Sequence, residues 1–338
     1  MSLFRILLKV LTPAPLLVRR PPLIIDGRKL DPKARVLAEI LSENQTAPHS
    51  WDMRQMRIDY DASAGGMDAA PPGRQLTRKD LAIAGPESAV GLRLYRPAGR
   101  EAEDLPVVLY FHGGGMAIGS IHSHDTLCAR LCVGSEMAVL SVDYRLAPEH
   151  PFPAALEDVQ AVYSWLLEQG AAHRLDPARI ALAGDSAGGN LVAALLHLLI
   201  YQDQPLPRAQ VLLYPWTDMR MDYPSMHSMA QAPVLTREAV LWFRTYYVSP
   251  DVDVQDPRVS PVHSPTHPRQ PPAYVITCGH DPLRDMGNVY ATHLADAGVA
   301  VIREEYGSMI HAFMQSSLIL PAARQAMQRV CQWLKHTV

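Results

Sequence analysis

From about residue 76 the apolar positions fall into short runs: LAIAG (81–85), VGLRLY (90–95), LPVVLYF (105–111), MAVLSVDY (137–144), RIALAG (179–184), AQVLLY (209–214), PAYVITCG (272–279) and VAVIREEY (299–306). Each has strand length and carries residues that suit a pleated, half-buried surface. Between most of them lie polar-apolar stretches with helical spacing, such as LEDVQAVYSWLLEQG (156–170) and GNVYATHLADAG (287–298). Alternation of this kind predicts an α/β fold, a mainly parallel eight-stranded sheet with helices on both faces. The first two runs, joined by a turn, read as an antiparallel edge.

Before residue 76 the pattern differs. Residues 31–45, DPKARVLAEILSENQ, have helical spacing after an Asp-Pro start, and residues 50–75 are mixed, with a loop around SAGGMDAAPPG. Residues 1–75 therefore read as an N-terminal helical cap segment and 76–338 as the sheet-bearing domain. Within the latter, residues 216–250 break the alternation with a helical, aromatic-rich insertion. It is expected to join the N-terminal segment as a cap over the carboxyl ends of the strands, where ligands bind in open α/β sheets. The first 25 residues hold a basic and apolar run, interrupted by Lys9 and prolines and without a plain small-residue cleavage site. They read as an amphipathic segment that covers something. No apolar run reaches the roughly 18 residues of a membrane span, so no stable membrane insertion is expected. LVAALLHLLI (191–200) is better read as a helix buried in a core.

Composition narrows the function classes. With 48% hydrophobic and 19% charged residues and a net charge of -3, the chain resembles an ordinary globular protein with no attraction for a polyanion. Nucleic-acid binding is disfavoured. Four cysteines in 338 residues make no disulfide framework, which favours reduced thiols and a cytoplasmic setting. Cys128 and Cys132 could share a helix face, in a buried role rather than a metal site.

The chemistry concentrates in two glycine-rich stretches. GDSAGG (184–189) follows a predicted strand and precedes a predicted helix, which is the setting of a Gly-x-Ser-x-Gly nucleophile elbow around Ser186. Glycines let the turn be tight and keep side chains off the neighbouring strand and helix. HGGGMAIGS (112–120) follows the strand LPVVLYF, and its three successive glycines leave backbone N–H groups unshielded, as stabilising a tetrahedral oxyanion requires. The N–H of Ala187 is the remaining candidate donor. A serine needs a base, and Asp281 and His311 each stand just past a predicted strand, in the order serine, acid, histidine. Asp281, before Pro282, also suits a helix N-cap, and Asp285 and His280 are nearby rivals.

Together HGGG, YRLAPEHPFPAALED (144–158), GDSAGGN (184–190), DPLRD (281–285) and His311 resemble, over roughly residues 76–320, the hormone-sensitive-lipase-like family of α/β-hydrolase carboxylesterases. The resemblance implies Ser186 as nucleophile, His311 as general base and acid, Asp281 as its orienting carboxylate, and N–H groups of Gly113, Gly114 and Ala187 as the oxyanion hole. It implies ester hydrolysis without metal or organic cofactor, on small-molecule esters of short to medium acyl chain. It also implies that two copies could pair through an edge strand near 300–306. The chain departs from the family at Met286 after Asp285, at Ala312 after His311, and at Met116 where a large aromatic is usual. YRLAPEHPFPAALED suggests buried polar and turn residues that brace the serine elbow. Met116, Trp216 and Tyr214 are expected at the substrate, with Met219, Met226, Trp242, Phe243, Tyr246 and Tyr247 forming the cap's apolar wall and core. Two other readings stand beside the esterase: an amidase or deacetylase on N-acyl substrates, and a non-catalytic receptor on the same fold, against which the retained His311 argues.

Overall fold

The computed structural model describes residues 21–42, 48, 51–63, 66–71 and 73–338. Eight strands form one sheet in the order β10-β9-β8-β7-β5-β6-β4-β3. They are β3 (Leu76–Ala84), β4 (Ala89–Pro97), β5 (Leu105–Phe111), β6 (Ala138–Asp143), β7 (Leu175–Asp185), β8 (Ala209–Leu213), β9 (Ala273–His280) and β10 (Val301–Ile310). All neighbours pair in parallel except β4, which runs against both β3 and β6. The antiparallel edge expected from LAIAG and VGLRLY is present.

Period-two alternation sends successive residues of a strand to opposite faces, and the central strands show it without polar positions because both faces are covered. Val107, Leu109 and Phe111 of β5 enter one apolar layer, while Val108 and Tyr110 enter the other. The first layer is filled by α4 (Ala154–Gln169) and α5 (Ala187–Tyr201), the second by α3 (Asp125–Ser135) and α9 (Pro321–Thr337). α5 is buried along nearly its whole length, which accounts for the apolar LVAALLHLLI run. Among the described residues no helix is long and apolar enough to cross a membrane. All four cysteines are free and buried, and Cys128 and Cys132 share the inner face of α3.

The N-terminal region is less purely helical than its sequence suggests. β1 (Ile24–Ile25) and β2 (Arg28–Lys29) form a small hairpin whose turn residues, Asp26 and Gly27, have φ of 50° and 72°. That is the left-handed geometry an Asp-Gly hairpin turn needs. Asp31 then caps α1 (Pro32–Ser42), its Oδ1 accepting from the N–H of Lys33 at 2.7 Å and of Ala34 at 3.1 Å. The expected continuation of that helix through residues 43–45, like the apolar run of residues 1–20, lies outside the described residues. α2 (Met53–Ser63) is pinned to the body by Arg57, whose guanidinium donates to the carbonyls of Ala117 at 2.8 Å and Ala147 at 2.7 Å. The 216–250 insertion contributes α6 (Pro224–Ser228) and α7 (Arg237–Tyr247), the latter capped by Thr236. α8 (Arg284–Asp296) covers β9 and β10.

Candidate active site

Ser186 stands between the end of β7 and the start of α5 with φ 54° and ψ -117°. A non-glycine residue there stores on the order of 1–3 kcal/mol of strain, which its surroundings must hold. Its own N–H donates to Leu213 at 2.8 Å, and its carbonyl accepts from Trp216 N–H at 3.1 Å. Gly188 shows why the elbow needs its glycines: a Cβ there would lie 2.0 Å from the Phe111 carbonyl oxygen and 2.7 Å from that of His112. Gly188→Ala must therefore push the elbow away from the HGGG loop. The expected result is a loss of about 1–3 kcal/mol in stability and of about 100-fold in kcat, checked by denaturant melts and ester turnover.

His311 follows β10, and Asp281 follows β9. The His311 Nδ1–H donates to Asp281 Oδ2 at 2.7 Å, and Nε2 lies 2.9 Å from Ser186 Oγ. The second oxygen of Asp281 accepts the Leu283 N–H at 2.8 Å, so the carboxylate is held on both sides. With Nδ1 protonated, Nε2 is free to accept the serine proton. The two rivals lie elsewhere. Asp285 accepts from Ser225 N–H and from Arg284 Nε, each at 2.8 Å, and His280, buried at the end of β9, makes no hydrogen bond to Ser186 or His311.

The glycine loop corrects one expectation. Gly113 N–H is already spent on Asp185 Oδ1 at 2.9 Å, so it is not an oxyanion donor. Among the described residues, the N–H groups of Gly114, Gly115 and Ala187 make no hydrogen bond, and Gly114 and Gly115 line the cavity with Ser186. Gly115 takes φ of 63°, and the Phe243 ring lies where its Cβ would be. The loop is braced by YRLAPEH, which supports it rather than the serine elbow. Tyr144 stacks on His112 at 4.2 Å and its hydroxyl donates to the His112 carbonyl at 2.7 Å, while Ala147 N–H donates to Met116 at 2.8 Å.

His112 itself is neutral. Its Nδ1–H donates to the Gly113 carbonyl at 2.8 Å, and burial, aided by neighbouring His124, pushes its pKa down to about 3. The unfolded chain binds that proton below about pH 6.5, whereas the folded chain does not. Stability from this group is full above that pH and falls as the pH drops toward 3, by about 2 kcal/mol at pH 5. Denaturation at about pH 7.5 and about pH 5 checks this, with His112→Gln expected to narrow the difference.

A cavity of about 630 Å³ opens on Ser186 and His311, between the strand ends and the helices α2 and α7. Trp216 lines it as expected, but Met116 and Tyr214 do not. Met116, with φ of 57°, turns its side chain into the core, and Tyr214 packs edge-on against His311 with ring centres 5.0 Å apart. Phe243 supplies the aromatic over the glycine loop. Of the other aromatics and methionines in the insertion, Met219, Met226 and Tyr247 are core residues, and Trp242 and Tyr246 pack on one another at 4.8 Å. Walls not read from sequence include, in α2 and just before it, Trp51, Met56, Tyr60 and Ser63. The last three recur at steps of four and three, a helical stripe that could have marked them.

The family model of the alpha/beta hydrolase fold matches residues 108–315. The chain is 40% identical over 308 residues to the carboxylic ester hydrolase LipN of Mycobacterium tuberculosis, covering 86% of this chain and 78% of that one. It is 37% identical to an ethyl acetate hydrolase of Pseudomonas putida over 250 residues, 72% of this chain and 77% of the relative. Among solved structures, an ester hydrolase from the metagenome of Lake Arreo, in complex with a derivative of bipyridine phosphonate, superposes with a TM-score of 0.86 at 34% identity, over 91% of this chain and 98% of that one.

Proposed function

The chain belongs to the hormone-sensitive-lipase-like carboxylesterases of the α/β-hydrolase superfamily, and on that footing we propose that it hydrolyses short- to medium-chain acyl esters through an acyl-enzyme on Ser186. The observation that carries this reading is the relay from Asp281 through His311 to Ser186, open to an apolar cavity beside unpaired backbone N–H groups. His311 Nε2 takes the proton as Ser186 Oγ attacks the ester carbonyl, and Asp281 steadies the imidazolium that forms. The N–H groups of Gly114, Gly115 and Ala187 receive the charge developing on the carbonyl oxygen. His311 then protonates the departing alcohol, and water repeats the sequence on the acyl-enzyme.

Residues 51–63 with α7 act as the cap in this reading, and Phe243, Trp51 and Met56 bound the space left for the substrate. A largely apolar cavity of about 630 Å³ favours compact soluble esters over emulsified fats. Buried, unpaired cysteines support a reducing cytoplasmic setting. The test is turnover of p-nitrophenyl esters from acetyl to dodecanoyl beside matched anilides. Esters no longer than octanoyl should give the highest kcat/KM. Faster anilide than ester turnover would move the protein to the amidases, and no turnover of either would reject the hydrolase reading.

A further inference from the structure

We propose that Asp185 and His124 form a buried charge pair that positions the oxyanion loop against the serine elbow, making both of them positioning residues for the reaction. The proposal rests on the hydrolase reading above. Asp185 immediately precedes Ser186, and its Oδ1 accepts from Gly113 N–H at 2.9 Å and from the Tyr110 hydroxyl at 2.7 Å. This carboxylate is therefore the direct link between the nucleophile's turn and the loop carrying Gly114 and Gly115. With Gly113 N–H committed to it, the next two N–H groups are left for the cavity.

The carboxylate lies wholly inside the protein, with the His124 ring against it. His124 is fully buried, with Nε2 at 3.3 Å from Oδ1 and 3.4 Å from Oδ2. In the proposed pair this ring carries a proton on each nitrogen. With the Ser123 Oγ proton on the Ser120 carbonyl, 2.9 Å away, that oxygen accepts from His124 Nδ1–H at 2.9 Å. A bare Nε2 would then point its lone pair at a carboxylate. The Gln315 side-chain amide nitrogen lies 2.7 Å from Nε2; turning that amide over sets its oxygen there, so that a protonated Nε2 donates to it while facing Asp185. Burial pushes the Asp185 carboxyl up, but His124, together with the Tyr110 hydrogen bond, outweighs it and holds Asp185 below the usual carboxylate range. A charged acceptor grips Gly113 N–H more strongly than a neutral one would.

Asp185→Asn keeps the shape and removes the charge. It is expected to lower kcat about 10- to 100-fold with KM changed less than about threefold, and to weaken a trifluoromethyl ketone that adds to Ser186 by the same factor as kcat. His124→Gln should act in the same direction. The double variant, which leaves no unpaired buried charge, should lose no more than the worse single, since the two act as one unit. The double variant also serves as the test if either single fails to fold. A lower melting temperature with unchanged kcat and ketone affinity would overturn the proposal, as would additive losses in the double variant. Wild-type protein without ester turnover would instead reject the hydrolase reading, whatever the variants do.

Discussion

Ser186→Ala is expected to abolish ester turnover, with kcat lowered by about a million-fold and the fold unchanged. The size follows from what is removed. Without Oγ there is no acyl-enzyme, and the residual rate is what the N–H groups of Gly114, Gly115 and Ala187 and the cavity contribute to direct attack by water. The fold should persist because alanine keeps the serine Cβ, so the strained φ of 54° is no harder to hold. What is lost is the 2.9 Å contact with His311, a net contribution of about 1 kcal/mol. Long progress curves on p-nitrophenyl butyrate, read beside thermal melts, check both halves. Retention of about 1% of wild-type turnover by well-folded variant protein would place the nucleophile elsewhere.

The three residues of the proposed relay are legible in the sequence because a parallel sheet turns chain order into spatial position. Ser186, Asp281 and His311 each come just after a run of strand formers, and β7, β9 and β10 deliver all three to the same end of the sheet. The glycines of GDSAGG are legible for a similar reason, since the close approach of β5, β7 and α5 excludes any Cβ at Gly188 whatever the rest of the fold. Such features depend on the backbone path alone.

Side-chain direction inside a turn is another matter. Three consecutive glycines announce free N–H groups, but only the path of the loop decides that Gly113 faces Asp185 while Gly114 and Gly115 face the cavity. Met116 follows the motif directly and still leaves the site, because its left-handed backbone swings the side chain into the core. Tyr214 is close to the chemistry, yet it supports the His311 ring instead of touching the cavity. The cavity walls from residues 51–63 are separated from the serine by more than a hundred residues of chain. Their mixed polar pattern shows a helix but not the surface on which it lies.

Asp281→Asn is expected to cost about ten-thousand-fold in kcat with little change in KM, and its cause differs from that of the serine variant. Both carboxylate oxygens are committed as acceptors, one to His311 Nδ1–H and the other to Leu283 N–H. Asparagine has only one acceptor to offer. With its oxygen toward Leu283, the amide N–H₂ faces His311 and forces Nδ1 to accept, which moves the ring proton to Nε2. That proton then faces Ser186 Oγ, and the base can no longer take the serine proton. The reverse orientation sets the amide N–H₂ against the Leu283 N–H, so two donors meet in a fully buried place, at a cost of about 1–3 kcal/mol. The first orientation avoids that cost, and the enzyme settles in the wrong tautomer. Asp285→Asn is the matched control: its carboxylate holds Ser225 and Arg284, so it should lose stability while kcat stays within about threefold. Turnover and denaturant midpoints for the two variants separate the assignments, and a larger loss of kcat at Asp285 than at Asp281 would move the orienting carboxylate to Asp285.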